Sequence, residues 1–217
     1  GEGFARAERT RGAPEGTGIT AAAMLLGGQT LLVGDAAGTV RAWHVATVEG
    51  AGPDGSSGRK LVRSHEIAGA SSAVVDLAPS VRDRSVTVLG ADGRVRVRHV
   101  TSEKLVAAFD AQVAGARAAR LTPKNDGVVV FGAGGAEARA LDAGYPEFSL
   151  KALFGRVHYE GQAGPSYVYQ SSSGDDSSEV KLSLVPLIAG SLKATVFAML
   201  FAAPMGVLAA VYTSEFL

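Results

Sequence analysis

The chain has no cysteine, which excludes disulfides, thiolate metal sites and cysteine nucleophiles. It has no excess of either charge, with 21 Lys and Arg against 21 Asp and Glu. A neutral chain carries no electrostatic footprint for nucleic acid. Arg94, Arg96 and Arg98 alternate along one stretch. They read as a solvated strand face rather than a nucleic-acid patch. There is no initiating methionine and no signal-peptide pattern at Gly1-Glu2-Gly3, and the chain stops at Glu215-Phe216-Leu217, directly after an apolar run. Both ends suggest a piece of a longer protein.

Catalytic constellations are also missing. His65-Glu66-Ile67-Ala68-Gly69 starts like a zinc-protease helix but lacks the second histidine. The four histidines, His44, His65, His99 and His158, are not at metal-ligand spacing. Ser178-Glu179-Val180-Lys181 matches a Ser-x-x-Lys pattern without the Ser-Asp-Asn or Lys-Thr-Gly partners, and reads as chance. Gly132-Ala133-Gly134-Gly135 lacks the Gly-Lys-Ser/Thr of a phosphate loop and reads as a turn. Asp175 and Asp176 sit in a polar linker, where paired carboxylates have no cleft to work in. No enzyme, cofactor or metal is expected.

What is there is 47% hydrophobic residues and 19% charged ones in 217 residues, enough apolar material for a core. Residues 1–18 form a polar lead-in. From about Ala21 to Leu153 the pattern is β. Short apolar runs recur at Met24–Leu26, Leu31–Val33, Val40–Val45, Ala73–Leu77, Ser85–Leu89, Val95–Val100, Lys104–Phe109, Ala118–Leu121 and Gly127–Phe131. Gly, Asp, Asn or Pro bound most of them. Asp92-Gly93 and Asn125-Asp126-Gly127 are hairpin signals.

The strands repeat. Gly38-Thr-Val-Arg-Ala-Trp-His44-Val45 aligns without a gap on Gly93-Arg-Val-Arg-Val-Arg-His99-Val100. A weaker third copy runs from Val128 to Gly132, then from Gly135 to Asp142. The first two turns are about 55 residues apart and the last two about 42, near the period of four-stranded propeller blades. The loop-like insert Gly50–Arg59 accounts for the difference. His44 and His99 hold equivalent repeat positions, which favours a structural role. The pattern resembles WD40-like β-propeller blades over residues 19–147, without the Trp-Asp dipeptide; its place reads Trp43-His44 and Arg98-His99. Two or three blades do not close a propeller. Missing blades are expected from sequence upstream, or the blades stand as an open stack. Residues 148–180 read as an irregular connector ending in the Ser-rich linker Ser171–Ser178, the clearest domain boundary.

From about residue 181 to 217 the chain changes character. Ala194–Val211 carries no charge, and the apolar stretch back to Leu184 contains one, Lys193. That length suits a membrane-spanning helix better than a buried soluble one. Pro204 and Gly206 are tolerated in such helices, and Gly190 and the alanines suit close packing.

Four stretches here carry a resemblance. They are Lys151-Ala-Leu-Phe-Gly-Arg-Val-His-Tyr-Glu-Gly161, Tyr167-Val-Tyr-Gln-Ser-Ser-Ser-Gly174, Lys181-Leu-Ser-Leu-Val-Pro-Leu-Ile-Ala-Gly-Ser-Leu-Lys-Ala-Thr195 and Ala203-Pro-Met-Gly-Val-Leu-Ala-Ala-Val-Tyr-Thr-Ser-Glu-Phe216. Together, over about Ser149–Leu217, they resemble the large form of the phosphate ABC transporter permease. Gly190-Ser191 departs mildly from the usual glycine-threonine pair. That family inserts a propeller-like domain between its first two membrane helices. The resemblance implies phosphate import across the inner membrane, with residues before about 181 in the periplasm. It implies an ATPase subunit, a second permease subunit and a periplasmic phosphate-binding protein as partners. The coupling loop and most of the pore would lie after Leu217. Lys193 is the one cation in the span that could touch an anion path; a snorkelling lysine is the plainer reading. The alternative is a membrane-anchored β-propeller interaction scaffold with no transport role.

Overall fold

The computed structural model describes residues 10–52, 54–170, 172, 174 and 178–216. Asp175, Asp176 and most of the Ser-rich linker lie outside the described residues, as do residues 1–9 of the lead-in.

Alternating β-branched and small residues between tight turns fold as antiparallel meanders. The first blade comprises β1 (Ile19–Met24), β2 (Thr30–Asp35), β3 (Thr39–Val48) and β4 (Gly58–Ala68), hydrogen-bonded in that order. The second comprises β5 (Val74–Pro79), β6 (Ser85–Gly90), β7 (Arg94–His99) and β8 (Leu105–Asp110). The third has three strands: β9 (Ala116–Leu121), β10 (Gly127–Gly132) and β11 (Gly135–Ala140). The first strands of successive blades lie side by side, β1 against β5 and β5 against β9. Meanders stacked face to face around their first strands are propeller blades, and three of them form an open stack here.

The aligned repeats occupy matching positions. Val40 pairs with Gly34 as Val95 pairs with Leu89, and Ala42 with Leu32 as Val97 with Thr87. These residues face the next blade. Val40, Ala42 and Leu32 pack on Val86 and Val88 of the second blade. Val95, Val97 and Leu89 pack on Val128 and Val130 of the third. The two seams are the core. Each fully buried aliphatic side chain in them contributes about 1.5–3 kcal/mol. The outward face of the third blade leaves Phe131 46% exposed, where its counterpart Leu89 is fully buried.

Four expectations change. Arg96 and Arg98 are only half solvated: Arg94 is exposed, while Arg96 reaches Gly69 O (3.3 Å) at the seam with the first blade. Strand β4 has no counterpart among the short apolar runs, and its first residues, Gly58 and Arg59, fall in the loop-like insert yet pair with Val48 and Thr47. It is the outermost strand of its blade, so one face needs no apolar residues. The β pattern does not continue to Leu153. Leu150–Phe154 form the helix α1, started by Ser149, whose hydroxyl accepts from Ala152 N. Finally, Lys181–Leu182 belong to a strand, β13, paired with β12 (Tyr169–Gln170), and not to the membrane segment.

The apolar helix α2 spans Val185–Phe216, 32 residues. Pro186 stands in its first turn, where a missing N–H costs nothing. None of its residues is buried.

Candidate functional site

The joint between blades and α2 is the most constructed part of the molecule. The connector leaves β11, forms α1, crosses the β1–β2, β5–β6 and β7–β8 turns, and returns through the β12–β13 pair to α2. Its polar side chains enter a hub centred on Arg84, which stands just before β6. Arg84 Nη2 donates to Glu160 Oε1 at 2.7 Å, and its Nε lies 3.4 Å from Glu179 Oε1 and 3.1 Å from Thr101 Oγ1. Thr30 donates to Glu160 and Thr101 to Glu179. Glu160 N–H donates to Glu179 Oε2 at 2.8 Å, so the connector closes on itself at the same point. Arg84, Glu160 and Glu179 are all buried or nearly so. Two carboxylates sharing one guanidinium leave a formal excess of one negative charge. The two threonine hydroxyls and one backbone N–H offset it in part.

A cavity of about 160 Å³ opens beside this hub. Arg82 and Arg84 line it together with Asp83 and Glu147, so it offers an anion no net positive charge. Arg84 Nη1 is buried without a protein partner.

All four histidines are buried. His44 and His99 do share a structural environment, each capped by the connector: His44 Nε2 donates to Gln162 O at 3.0 Å, and the Ser102 hydroxyl beside His99 donates to Pro146 O at 2.7 Å. Ser102 N–H donates to His99 Nδ1 at 3.2 Å. Burial lowers the His99 imidazole to about 4, with Arg84, His65 and Lys104 adding to the effect and Asp83 opposing it. Desolvation works against the charge on Glu103, yet hydrogen bonds from His65 and Lys151 hold its carboxyl below the ordinary range. Among the described residues no group of three His, Asp or Glu could hold a metal ion.

Helix α2 is about 48 Å long at 1.5 Å per residue, against a hydrocarbon core of about 30 Å. It is long and apolar enough to cross a membrane. Ser191, Thr195, Ala198, Ala202, Gly206, Ala209 and Thr213 recur every third or fourth residue, so they share one face. The opposite face carries Lys193, Val196, Leu200, Val207 and Val211. Thr195 and Thr213 donate to the carbonyls of Ser191 and Ala209, both at 2.9 Å, which satisfies their hydroxyls without water. Lys193 thus points away from the small-residue face, between Ala189 and Gly190 one turn before it and Val196 and Phe197 one turn after. Of the motif at Ser178–Lys181, Glu179 enters the hub and Lys181 Nζ donates to Gln170 Oε1 at 3.1 Å. Sequence reasoning missed Arg84, Glu160, Glu179 and the small-residue face. The face was legible as a period in the alanines and glycines; the hub, assembled from distant segments, had no local signal.

No protein-family model and no curated protein sequence matches the chain. Among solved structures it is similar to a chain in the crystal structure of the mitotic checkpoint complex. That match has 13% identity and a TM-score of 0.47, over 63% of this chain and 38% of that one. It is also similar to the β-propeller domain of Cps50 (Swd1) from Myceliophteria thermophila. There the identity is 16% and the TM-score 0.45, over 57% of this chain and 40% of that one. The chain therefore spans about two-fifths of the structures it matches.

Proposed function

We propose that this chain is part of the permease subunit of an ABC transporter that imports inorganic phosphate. The blades form its extracytoplasmic domain, and α2 carries the chain back into the inner membrane. The resemblance of Ser149–Leu217 to that permease supports the reading. The observation that carries it furthest is the small-residue face of α2. A helix that only anchors a domain in lipid needs no such face, whereas a helix packed in a bundle does, because small side chains let backbones approach closely. The proposal implies an ATPase subunit, a second permease subunit and a phosphate-binding protein as partners, and gives the chain no chemistry of its own. Lys193, on the opposite face, would then contact lipid headgroups or a further helix rather than an anion path.

The test is phosphate uptake by cells carrying the intact protein with Ala202→Phe, which blocks the small-residue face but keeps the helix apolar. Loss of uptake and of co-purification with the ATPase subunit, with membrane insertion retained, is the expected result. Unchanged uptake and no transporter subunit in the purified complex would overturn the proposal. The second reading, an anchored propeller scaffold, is favoured by the exposed Phe131 face and predicts that outcome.

A further inference from the structure

Three histidines from separate stretches of chain meet beneath the connector. His44 of β3 and His158 of the connector each donate from Nε2 to one carbonyl, Gln162 O, at 3.0 and 2.8 Å. Their rings meet edge to face with centroids 5.1 Å apart. His44 Nδ1 is buried and has no partner. His65 of β4 faces an acceptor at each nitrogen: Glu103 Oε1 at 3.1 Å from Nδ1 and His158 O at 3.0 Å from Nε2. The His158 carbonyl can only accept, so His65 Nε2 donates to it, while Nδ1 faces the Glu103 carboxylate. Glu103 also accepts from Lys151 Nζ of α1 at 2.5 Å.

We propose that this cluster is a proton-released clasp. With His158 neutral it holds the connector on the first blade, and proton uptake by that ring opens it. The physical reason is that a positive charge on His158 would be buried beside the His44 ring, with Nε2 already donating to Gln162 O. A proton on His158 places a cation beside the His44 ring and close to His65. Among the described carboxylates near the cluster, Glu103 is engaged by His65 and Lys151, and Glu160 and Glu179 share Arg84; their excess negative charge opposes the effect of burial on His158 without cancelling it. His99 of β7, also near His65, is neutral and offers no compensation. Burial already holds His158 below the ordinary histidine range. His44 and His65 act in the same direction, against the Gln162 carbonyl and Glu179. The clasp bears on α2 because the connector runs through β12 and β13 into it, and Leu184 N–H donates to Leu153 O at 2.8 Å just before the helix. This inference does not depend on what is transported.

Hydrogen exchange of the full chain in detergent, corrected for intrinsic rates and followed from pH 7.5 to about 5.5, tests it. The amides of Val157, Gln162 and Ser166, hydrogen-bonded within the connector, report the clasp. Those of Val88 and Val97 report the blades. The expected result is connector protection falling by about tenfold per pH unit for each proton taken up on opening, beyond any fall in the blades. His158→Gln keeps a donor near Nε2 but does not titrate, and should remove most of that slope. His44→Gln, which removes the ring packed edge to face on His158, is the second variant for the case in which His158→Gln is open at pH 7.5, and should lessen the slope. A connector no more acid-sensitive than the blades, or the same slope in whichever variant stays closed at pH 7.5, would overturn the proposal.

Discussion

Arg84 and Glu160 lie 76 residues apart in sequence, yet Arg84 Nη2 donates to Glu160 Oε1 at 2.7 Å in a nearly dry setting. This one contact ties the second blade to the connector. Removing the guanidinium leaves Glu160 and Glu179 buried without their counter-charge. Arg84→Met should therefore destabilise the chain by about 3–5 kcal/mol, read as a fall in the urea midpoint. Arg84→Lys should recover only part, because a point charge cannot serve two carboxylates and a hydroxyl at once. A loss under about 1 kcal/mol for the methionine variant would show that the hub is already well solvated.

The His99 imidazole, lowered to about 4 by burial, makes stability depend on pH. Between about pH 4 and the free-histidine value of about 6.5 the unfolded chain binds the proton and the folded chain does not. Stability therefore rises with pH across that window and is level above it. The full difference is on the order of 3 kcal/mol. Urea unfolding at pH 4.5, 5.5 and 7 should show this slope, and His99→Gln should flatten it.

Gly38 and Gly93 are repeat-equivalent and both left-handed, at φ +86° and +78°. Only one has close neighbours. A Cβ on Gly38 would lie 2.4 Å from Ala70 O and 2.6 Å from Ser72 O, whereas one on Gly93 meets nothing within 4 Å. Gly93→Ala should cost about 1–2 kcal/mol for the left-handed backbone alone. Gly38→Ala must also displace two backbone carbonyls, so its thermal midpoint should drop clearly further. Equal effects would mean that the segment between β4 and β5 yields easily.

The end of the folded part can be located by truncation. A chain cut after Leu184 keeps the β12–β13 pairing and loses only a helix that is buried nowhere. It should move from the membrane fraction to the aqueous one without a lower unfolding midpoint. A cut before Val180 also removes Lys181 and Leu182, the partners of Gln170 and Tyr169, and should lower the midpoint. In the intact chain, Leu200→Arg should oppose membrane insertion by about 3 kcal/mol, read by alkaline extraction.

The blades were legible because their signals are local. Asp92-Gly93 supplies a turn whose glycine is left-handed, and Val95 and Val97 alternate with arginines. The ungapped alignment of Gly38–Val45 on Gly93–Val100 already placed equivalent strands in register. Helix α2 was legible because a run of side chains without charge has one low-energy environment at that length. The connector was not legible. Glu160 and Glu179 look like ordinary surface carboxylates, and His44, His65 and His158 share no spacing. Alternation also misled at Arg96 and Arg98, since long guanidinium side chains can lie along a seam and still reach polar atoms at its edge.

By itself, then, the order of residues determined the strands, their turns, the repeat and the apolar helix, because each depends on neighbours within a few positions. The tertiary structure alone decided that the stretch before the helix packs on the blades rather than hanging as a tether. Burying two carboxylates around Arg84 and two histidines around one carbonyl is affordable only when segments tens of residues apart supply each other's partners.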